Sequence, residues 1–209
     1  MLKLNRIYNM DCVEGMKLLP DNSIDITLTS PPFKDKDVIG NYKDYWDYYE
    51  KFMTEAIRVT SKSLCVIQSA TRLTDVVQRF PPKRTMIWYK GVMPVAYRYN
   101  PIFVYQINPD YKVNKYIWAD VIGCYSIKNK DKLHKDQDPV YLYETILKMF
   151  KDCKIVLDPH SGSGTTAKAA QNVGIEYILF DANPEYTKNI PEMLKALQEK
   201  SALSNESEK

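Results

Sequence analysis

Apolar residues in this chain fall into two patterns. Short continuous runs at residues 24–29, 64–69, 154–157 and 175–180 predict strands buried on both faces. Residues 6–9, 85–90 and 101–107 read as further strands. Longer stretches with helical spacing lie between them. Residues 13–19 predict a short helix, ended by Pro20-Asp21-Asn22. Residues 42–60 predict a long amphipathic helix rich in aromatics, in which Tyr45, Trp46, Tyr48 and Tyr49 serve as core and cap. Residues 71–80 predict a short helix, and in 139–150 Leu142, Ile146, Met149 and Phe150 recur at helical spacing. Ala167, Ala169 and Ala170 make 166–173 a strong helix former. A short helix from residue 191 and a polar tail at 201–209, expected to be disordered, complete the pattern. Strands alternating with helices predict an α/β layered sheet, and no internal repeat interrupts it.

Chemistry enters at the turn between the strand at 154–157 and the helix at 166–173. Asp158-Pro159-His160-Ser161-Gly162-Ser163-Gly164-Thr165 joins them. Gly162 and Gly164 allow a tight turn and a close approach of backbone to ligand. The next strand ends in Asp181, about 20 residues on, where such units hydrogen-bond a ribose hydroxyl pair. Strand, glycine turn, helix and acidic strand end together predict a site for an adenosine-containing cofactor. No G-x-G-x-x-G is present, and an Asp-Pro pair precedes the turn; both argue against a NAD-dependent oxidoreductase.

A second signal follows the strand at 24–29. Ser30-Pro31-Pro32-Phe33 begins where that strand ends. Two prolines fix φ and remove two backbone donors, so the corner is extended and rigid. Ser30 and the Pro31 carbonyl are then held as acceptors, with the flat face of Phe33 beside them. Such a corner suits an exocyclic amine on an aromatic base. A proline turn with a buried Phe is the plain alternative.

Composition narrows the setting. At 209 residues the chain is long enough for one domain with a sizeable core. Hydrophobic residues make up 44% and charged residues 26%, ordinary for a globular protein. No apolar run reaches the ~20 residues of a membrane helix, and the first ten residues lack the apolar stretch of a signal peptide. Cys12, Cys65, Cys124 and Cys153 are scattered, which fits a reducing cytoplasm and argues against a zinc site or disulfide framework. A net charge of +3 permits a polyanionic partner without demanding one.

In the order and spacing of five segments the chain resembles the amino-group DNA methyltransferases that use S-adenosylmethionine, of the permuted type in which the catalytic tetrapeptide precedes the glycine motif. The segments are residues 6–33, with Asn9-Met10-Asp11-Cys12; Trp88-Tyr89-Lys90-Gly91 followed by Tyr97-Arg98-Tyr99; residues 134–142; the glycine turn; and Asp181-Ala182-Asn183-Pro184-Glu185-Tyr186. The resemblance implies a Rossmann-like methyltransferase sheet, mostly parallel with an antiparallel strand and helices on both faces. It implies a single domain over residues 1–190, with 191–209 as terminal helix and tail. It assigns Ser30, Pro31, Pro32 and Phe33 to catalysis. It assigns Asp11, His134, Asp136, Pro139, Asp158, His160, Gly162, Gly164, Thr165 and Asp181 to the cofactor, and no metal. Within that set Asp11 accepts from the adenine amine or caps a helix, and Thr165 contacts the cofactor or caps one. His160 stands where the family usually has Phe, which favours a packing role over a catalytic one; Asp138 stands where Lys is usual, and Met10 where Gly is common.

The implied reaction is methylation of a base amine in double-stranded DNA. Ser30 tilts the target to cytosine-N4, with adenine-N6 as the closest rival. An RNA base methyltransferase and a non-catalytic cofactor-binding module stand further off. The base is expected to flip out of the helix and stack on Phe33. Residues 34–43, with Gly40 as a hinge, are expected either to cover it as a lid or to form an ordinary solvated loop. Residues 108–135 occupy the place of a DNA-recognition insert. They interleave Lys112, Lys115, Lys128, Lys130, Lys132 and Lys135 with Tyr111, Tyr116 and Trp118. The insert is short, which implies a short target sequence, loose specificity or a second subunit in a homodimer. A cognate restriction endonuclease is the other partner the resemblance allows.

Overall fold

The computed structural model describes residues 2–91, 98–115, 118–124 and 137–188. In chain order the elements are β1 (Arg6–Asn9), α1 (Cys12–Lys17), β2 (Ile24–Thr29), α2 (Tyr45–Val59), β3 (Thr60–Ile67), α3 (Leu73–Arg79), β4 (Arg84–Tyr89), β5 (Tyr99–Gln106), β6 (Val121–Gly123), α4 (Val140–Met149), β7 (Ile155–Asp158), α5 (Thr165–Val173) and β8 (Glu176–Asp181). The strands form one sheet in the order β1-β8-β7-β2-β3-β5-β4-β6. β5 runs antiparallel to both of its neighbours, β3 and β4. Every other pairing is parallel.

Side-chain alternation along the strands explains the two layers of helices. Cys65 and Ile67 of β3, Val156 of β7 and Leu179 of β8 face one core, which α4 and α5 close with Leu142, Ile146, Ala167 and Ala170. Leu64 and Val66, Leu157, and Ile178 and Phe180 face the other, closed by α1 and α2 through Met16, Tyr49, Phe52 and Met53. Both faces are dry, so the strands carry little polar alternation.

The element boundaries shift where a side chain decides them. α2 starts at Tyr45 rather than 42 because Asp44 accepts from the amides of Trp46 (2.8 Å) and Asp47 (2.9 Å). β3 begins at Thr60, directly after α2, and ends at Ile67. Its polar start, Thr60-Ser61-Lys62-Ser63, resembles a loop in sequence. Thr60 is nevertheless buried, its hydroxyl donating to the Ala56 carbonyl (2.6 Å) and meeting the Thr27 hydroxyl (2.7 Å). β6 has three residues, too few for a periodic signal, and lies within the expected recognition insert. Two of that insert's aromatics are used by the core: Tyr111 stacks on Phe150 at 6.4 Å and Trp118 meets it edge-on at 5.9 Å. Tyr116, Lys128, Lys130, Lys132, Lys135 and the stretch from residue 191 lie outside the described residues. No helix among the described residues is long and apolar enough to cross a membrane.

The chain leaves β7 through α5 to β8 on one side, and leaves β2 through α2 to β3 on the other. In open α/β sheets such a reversal opens a crevice at the carboxyl ends of the two central strands. Here those strands are β7 and β2.

Candidate active site at the carboxyl ends of four strands

Four adjacent strands deliver the expected site residues in a row. Asp11 follows β1, Asp181 ends β8, the 158–164 turn leaves β7, and Ser30 follows β2; sheet order runs β1-β8-β7-β2. Three strand spacings of ~4.8 Å put the ends of that row about 14 Å apart. The glycine turn and the proline corner are bonded directly, since the Thr29 hydroxyl donates to Asp158 Oδ1 at 2.7 Å.

In the glycine turn Gly162 and Gly164 take φ of 45° and 74°, a region costly for other residues. The Gly162 amide donates to Asp181 Oδ2 (2.8 Å), while Oδ1 of that carboxylate accepts from the Asn183 amide (2.8 Å). Burial raises the Asp181 pKa, and those two amides pull it back. Asp158 is buried and accepts from the Thr29 hydroxyl, the Thr166 hydroxyl and the His160 amide (3.0 Å). Burial pushes its pKa up to about 6 against those three donors, with the Asp181 charge adding to the rise. Thr165 is the first residue of α5, and Gly164 is its N-cap, so Thr165 does not cap that helix. Its hydroxyl donates to the Asp138 carbonyl (3.2 Å) and meets Ser163 Oγ (2.8 Å). Pro139 is the buried N-cap of α4, next to that contact. His134 and Asp136 lie outside the described residues. The Ser161 hydroxyl is buried in the turn with no partner among the described residues. A buried polar atom without a partner is costly, and this one fits a turn shaped to receive a polar ligand.

Asp11 does cap a helix: Oδ1 accepts from the amides of Val13 (2.9 Å) and Glu14 (3.2 Å). The Tyr42 hydroxyl also reaches both of its carboxylate oxygens, at 2.9 and 2.7 Å. The 34–43 loop is thereby fastened to the end of the row opposite Ser30.

The proline corner is held from the α2 side of the sheet. The Tyr45 hydroxyl donates to the Pro32 carbonyl (2.9 Å) and accepts from Nε2 of the buried Gln68 (3.0 Å). Burial raises the Tyr45 pKa to about 12. Arg72 donates to the Phe33 carbonyl (3.4 Å), pairs with Asp35 and stacks 4.2 Å over the Tyr45 ring. On the other face Tyr143 of α4 is buried and donates to Asp138 (3.2 Å). Among the described residues no donor reaches the Pro31 carbonyl. An open recess of about 600 Å³ adjoins the corner, lined by Phe33, Lys34, Lys36, Thr71 and Arg72 among others.

The N6/N4 methyltransferase family model, described as DNA methylase, matches residues 81–192, more than half of the chain. The chain belongs to this DNA methylase family. Two curated relatives are the Type II methyltransferases M.HinfI of Haemophilus influenzae, 25% identical over 88% of this chain, and M.BamHI of Bacillus amyloliquefaciens, 23% identical over 85%. The chain spans 66% and 54% of their lengths, under two thirds of either. Among solved structures, the PvuII DNA methyltransferase (cytosine-N4-specific) superposes with a TM-score of 0.71 at 17% identity, covering 90% of both chains. An M1.HpyAVI–SAM complex gives 0.69 at 21% identity, covering 90% of this chain and 98% of the other. At these identities the likeness establishes the fold, a Rossmann-like methyltransferase sheet.

Sequence reasoning missed Thr29, Tyr48, Gln68 and Arg72. Tyr45, Tyr48 and Tyr49 carried a helical-face signal, but nothing in it told which strand end that face meets. His160 is the clearest gain. Its Nδ1 lies 2.9 Å from the Thr29 hydroxyl, and its Nε2 hydrogen-bonds the Tyr48 hydroxyl. Its ring packs edge-on against Phe52 at 4.8 Å. Part of the residue stays open to solvent, yet both ring nitrogens are engaged within the protein, and burial drops its pKa to about 3. Among the described residues no three His, Cys, Asp or Glu side chains are placed to hold a metal ion.

Proposed function

We propose that this methylase transfers a methyl group from S-adenosylmethionine to the exocyclic amine of a base flipped out of double-stranded DNA, with cytosine-N4 as the favoured target. One observation carries the reading: the Ser30 corner and the Gly162 turn leave neighbouring parallel strands at the same end and are bonded through Thr29 and Asp158. Along that row we assign the parts of the cofactor as follows. Asp11 lies at the adenine end, Asp181 serves the ribose hydroxyls, and the turn around Gly162 with the Ser161 hydroxyl serves the methionine end.

When bound, S-adenosylmethionine supplies an electrophilic methyl on a sulfonium. The protein's part is positioning. An aromatic amine is a poor nucleophile because its lone pair is spread into the ring. Ser30 Oγ and the Pro31 carbonyl accept from its two hydrogens and favour a tetrahedral nitrogen whose lone pair is free to react. Because Pro32 and Phe33 have their carbonyls held by Tyr45 and Arg72, the corner meets the amine without rearranging. Phe33 stacks on the base, a contact worth ~1–3 kcal/mol.

Ser at position 30 supports cytosine-N4, as does the likeness to a cytosine-N4-specific enzyme. Adenine also presents an amine beside a ring nitrogen and is the alternative. The test is to incubate unmodified DNA with the protein and labelled S-adenosylmethionine, digest to nucleosides and identify the methylated one by mass. N4-methylcytosine is expected. N6-methyladenine would move the target to the alternative, label in RNA alone would refute a DNA substrate, and no transfer to either would refute the reaction.

A further inference from the structure

We infer that Tyr48 and His160 are positioning residues that set the spacing between the Ser30 corner and the glycine turn. The inference rests on the methyl-transfer reading above and deepens it. It starts from Thr29, the last residue of β2, covalently next to Ser30. Its hydroxyl has one hydrogen, which goes to Asp158. The same oxygen must therefore accept from His160 Nδ1–H at 2.9 Å. With its proton on Nδ1, the ring has a bare Nε2, which accepts from the Tyr48 hydroxyl. The Tyr48 ring packs edge-on against Tyr42 at 5.2 Å, and the Tyr42 hydroxyl bonds Asp11. The result is one directed chain, Tyr48 to His160 to Thr29 to Asp158, fastened at its far end near the row's first residue. It crosses from α2 through the glycine turn to the proline corner with one donor for each acceptor.

A packing role alone does not require this polarity. A phenyl ring would fill the same space between Phe52 and Tyr48, but it would leave a buried phenol without an acceptor and Thr29 with one partner fewer. The polar ring makes the two loops move as one body. That matters here because reacting atoms must sit about 3–3.5 Å apart and aligned, and a 1 Å misplacement costs on the order of 10²-fold.

The experiment uses the full chain with Tyr48→Phe, His160→Phe and the double substitution. Each is read in single-turnover methyl transfer to DNA and in the Kd for S-adenosylmethionine without DNA. Each single variant is expected to lose about 10- to 100-fold in transfer rate with cofactor Kd close to wild type. The double variant is expected to lose no more than the worse single, because both break the same chain. Unchanged rates, additive losses, or rate and affinity falling together would overturn the inference. A reading independent of activity, and of whether the variants fold, comes from ¹⁵N imidazole NMR of the wild type near pH 7. His160 is expected neutral, with Nδ1 protonated and Nε2 bare; the opposite tautomer refutes the chain. An active wild type with unaltered variants overturns this inference alone, whereas a wild type that methylates nothing overturns the function and the inference with it.

Discussion

At the scale of single residues, the turn holds two buried groups whose titrations oppose each other. His160 falls to about 3 in the folded protein, below its ordinary 6.5. The unfolded chain therefore binds the extra proton between those values, and stability from this group is lost as pH falls from about 6.5. Asp158 rises to about 6 from 3.8, so the folded chain binds the extra proton and stability declines as pH rises through that window. Between pH 4 and 6 the two slopes, each at most ~1.4 kcal/mol per pH unit, offset. His160→Phe removes one and keeps the backbone amide that bonds Asp158. Urea midpoints should then show the variant gaining on wild type as pH falls from 7 to 4; a difference independent of pH contradicts the assignment. Gly162 makes a simpler case. A Cβ there meets nothing closer than the His160 carbonyl at 3.9 Å, so sterics are not the issue. Its positive φ is, and Gly162→Ala should lower stability by roughly 1–2 kcal/mol in urea unfolding. It should also weaken cofactor binding in a titration, since the strained turn moves the amide that bonds Asp181.

At the scale of elements, consecutive residues at the end of β2 point to opposite faces of the sheet. Thr29 is bonded toward the α2 side through His160 and Tyr48, which leaves Ser30 directed toward the α4 side. The α1–α2 layer is itself clamped by Arg58 near the end of α2. Its guanidinium donates to the carbonyls of Met16 (2.8 Å) and Leu19 (3.0 Å), satisfying groups at the end of α1, and pairs with Glu55 at 2.7 Å and Asp21 at 2.5 Å. Exposed ion pairs contribute little; the carbonyls matter more. Arg58→Met keeps the apolar stem and loses the donors. A loss of ~1–3 kcal/mol is expected in chemical denaturation, with cofactor affinity near wild type because the clamp lies at the opposite end of α2 from the row. A loss of affinity without a loss of stability would place Arg58 in the site instead.

At the scale of the whole molecule, the sheet reversal between β7 and β2 brings two motifs, 129 residues apart at Thr29 and Asp158, into contact. On the proposed function the row from Asp11 to Ser30 has a cofactor end and a base end, and substitutions should divide the same way. Phe33→Ala should leave the cofactor Kd unchanged in a fluorescence titration. It should weaken binding of DNA carrying an unpaired target base by about 5- to 150-fold, the equivalent of ~1–3 kcal/mol of stacking. Equal losses of both affinities would mean that Phe33 supports the fold of the corner rather than the base.

The sequence alone determined the layered α/β class, the glycine turn, the acidic strand end at Asp181 and the proline corner. Each of these is written in consecutive residues whose backbone limits are local. Tertiary structure decided what local patterns cannot encode. Polar Thr60-Ser61-Lys62-Ser63 becomes strand because neighbours pair with it, and β6 exists only because β4 offers an edge. Tyr111 and Trp118 join the core because Phe150 lies beneath them. His160 looks like an isolated substitution until Thr29 and Tyr48 arrive from two separate segments to use both of its ring nitrogens. A hydrogen-bonded chain built from distant segments leaves no periodic trace, since its only common coordinate is the place where the strands end.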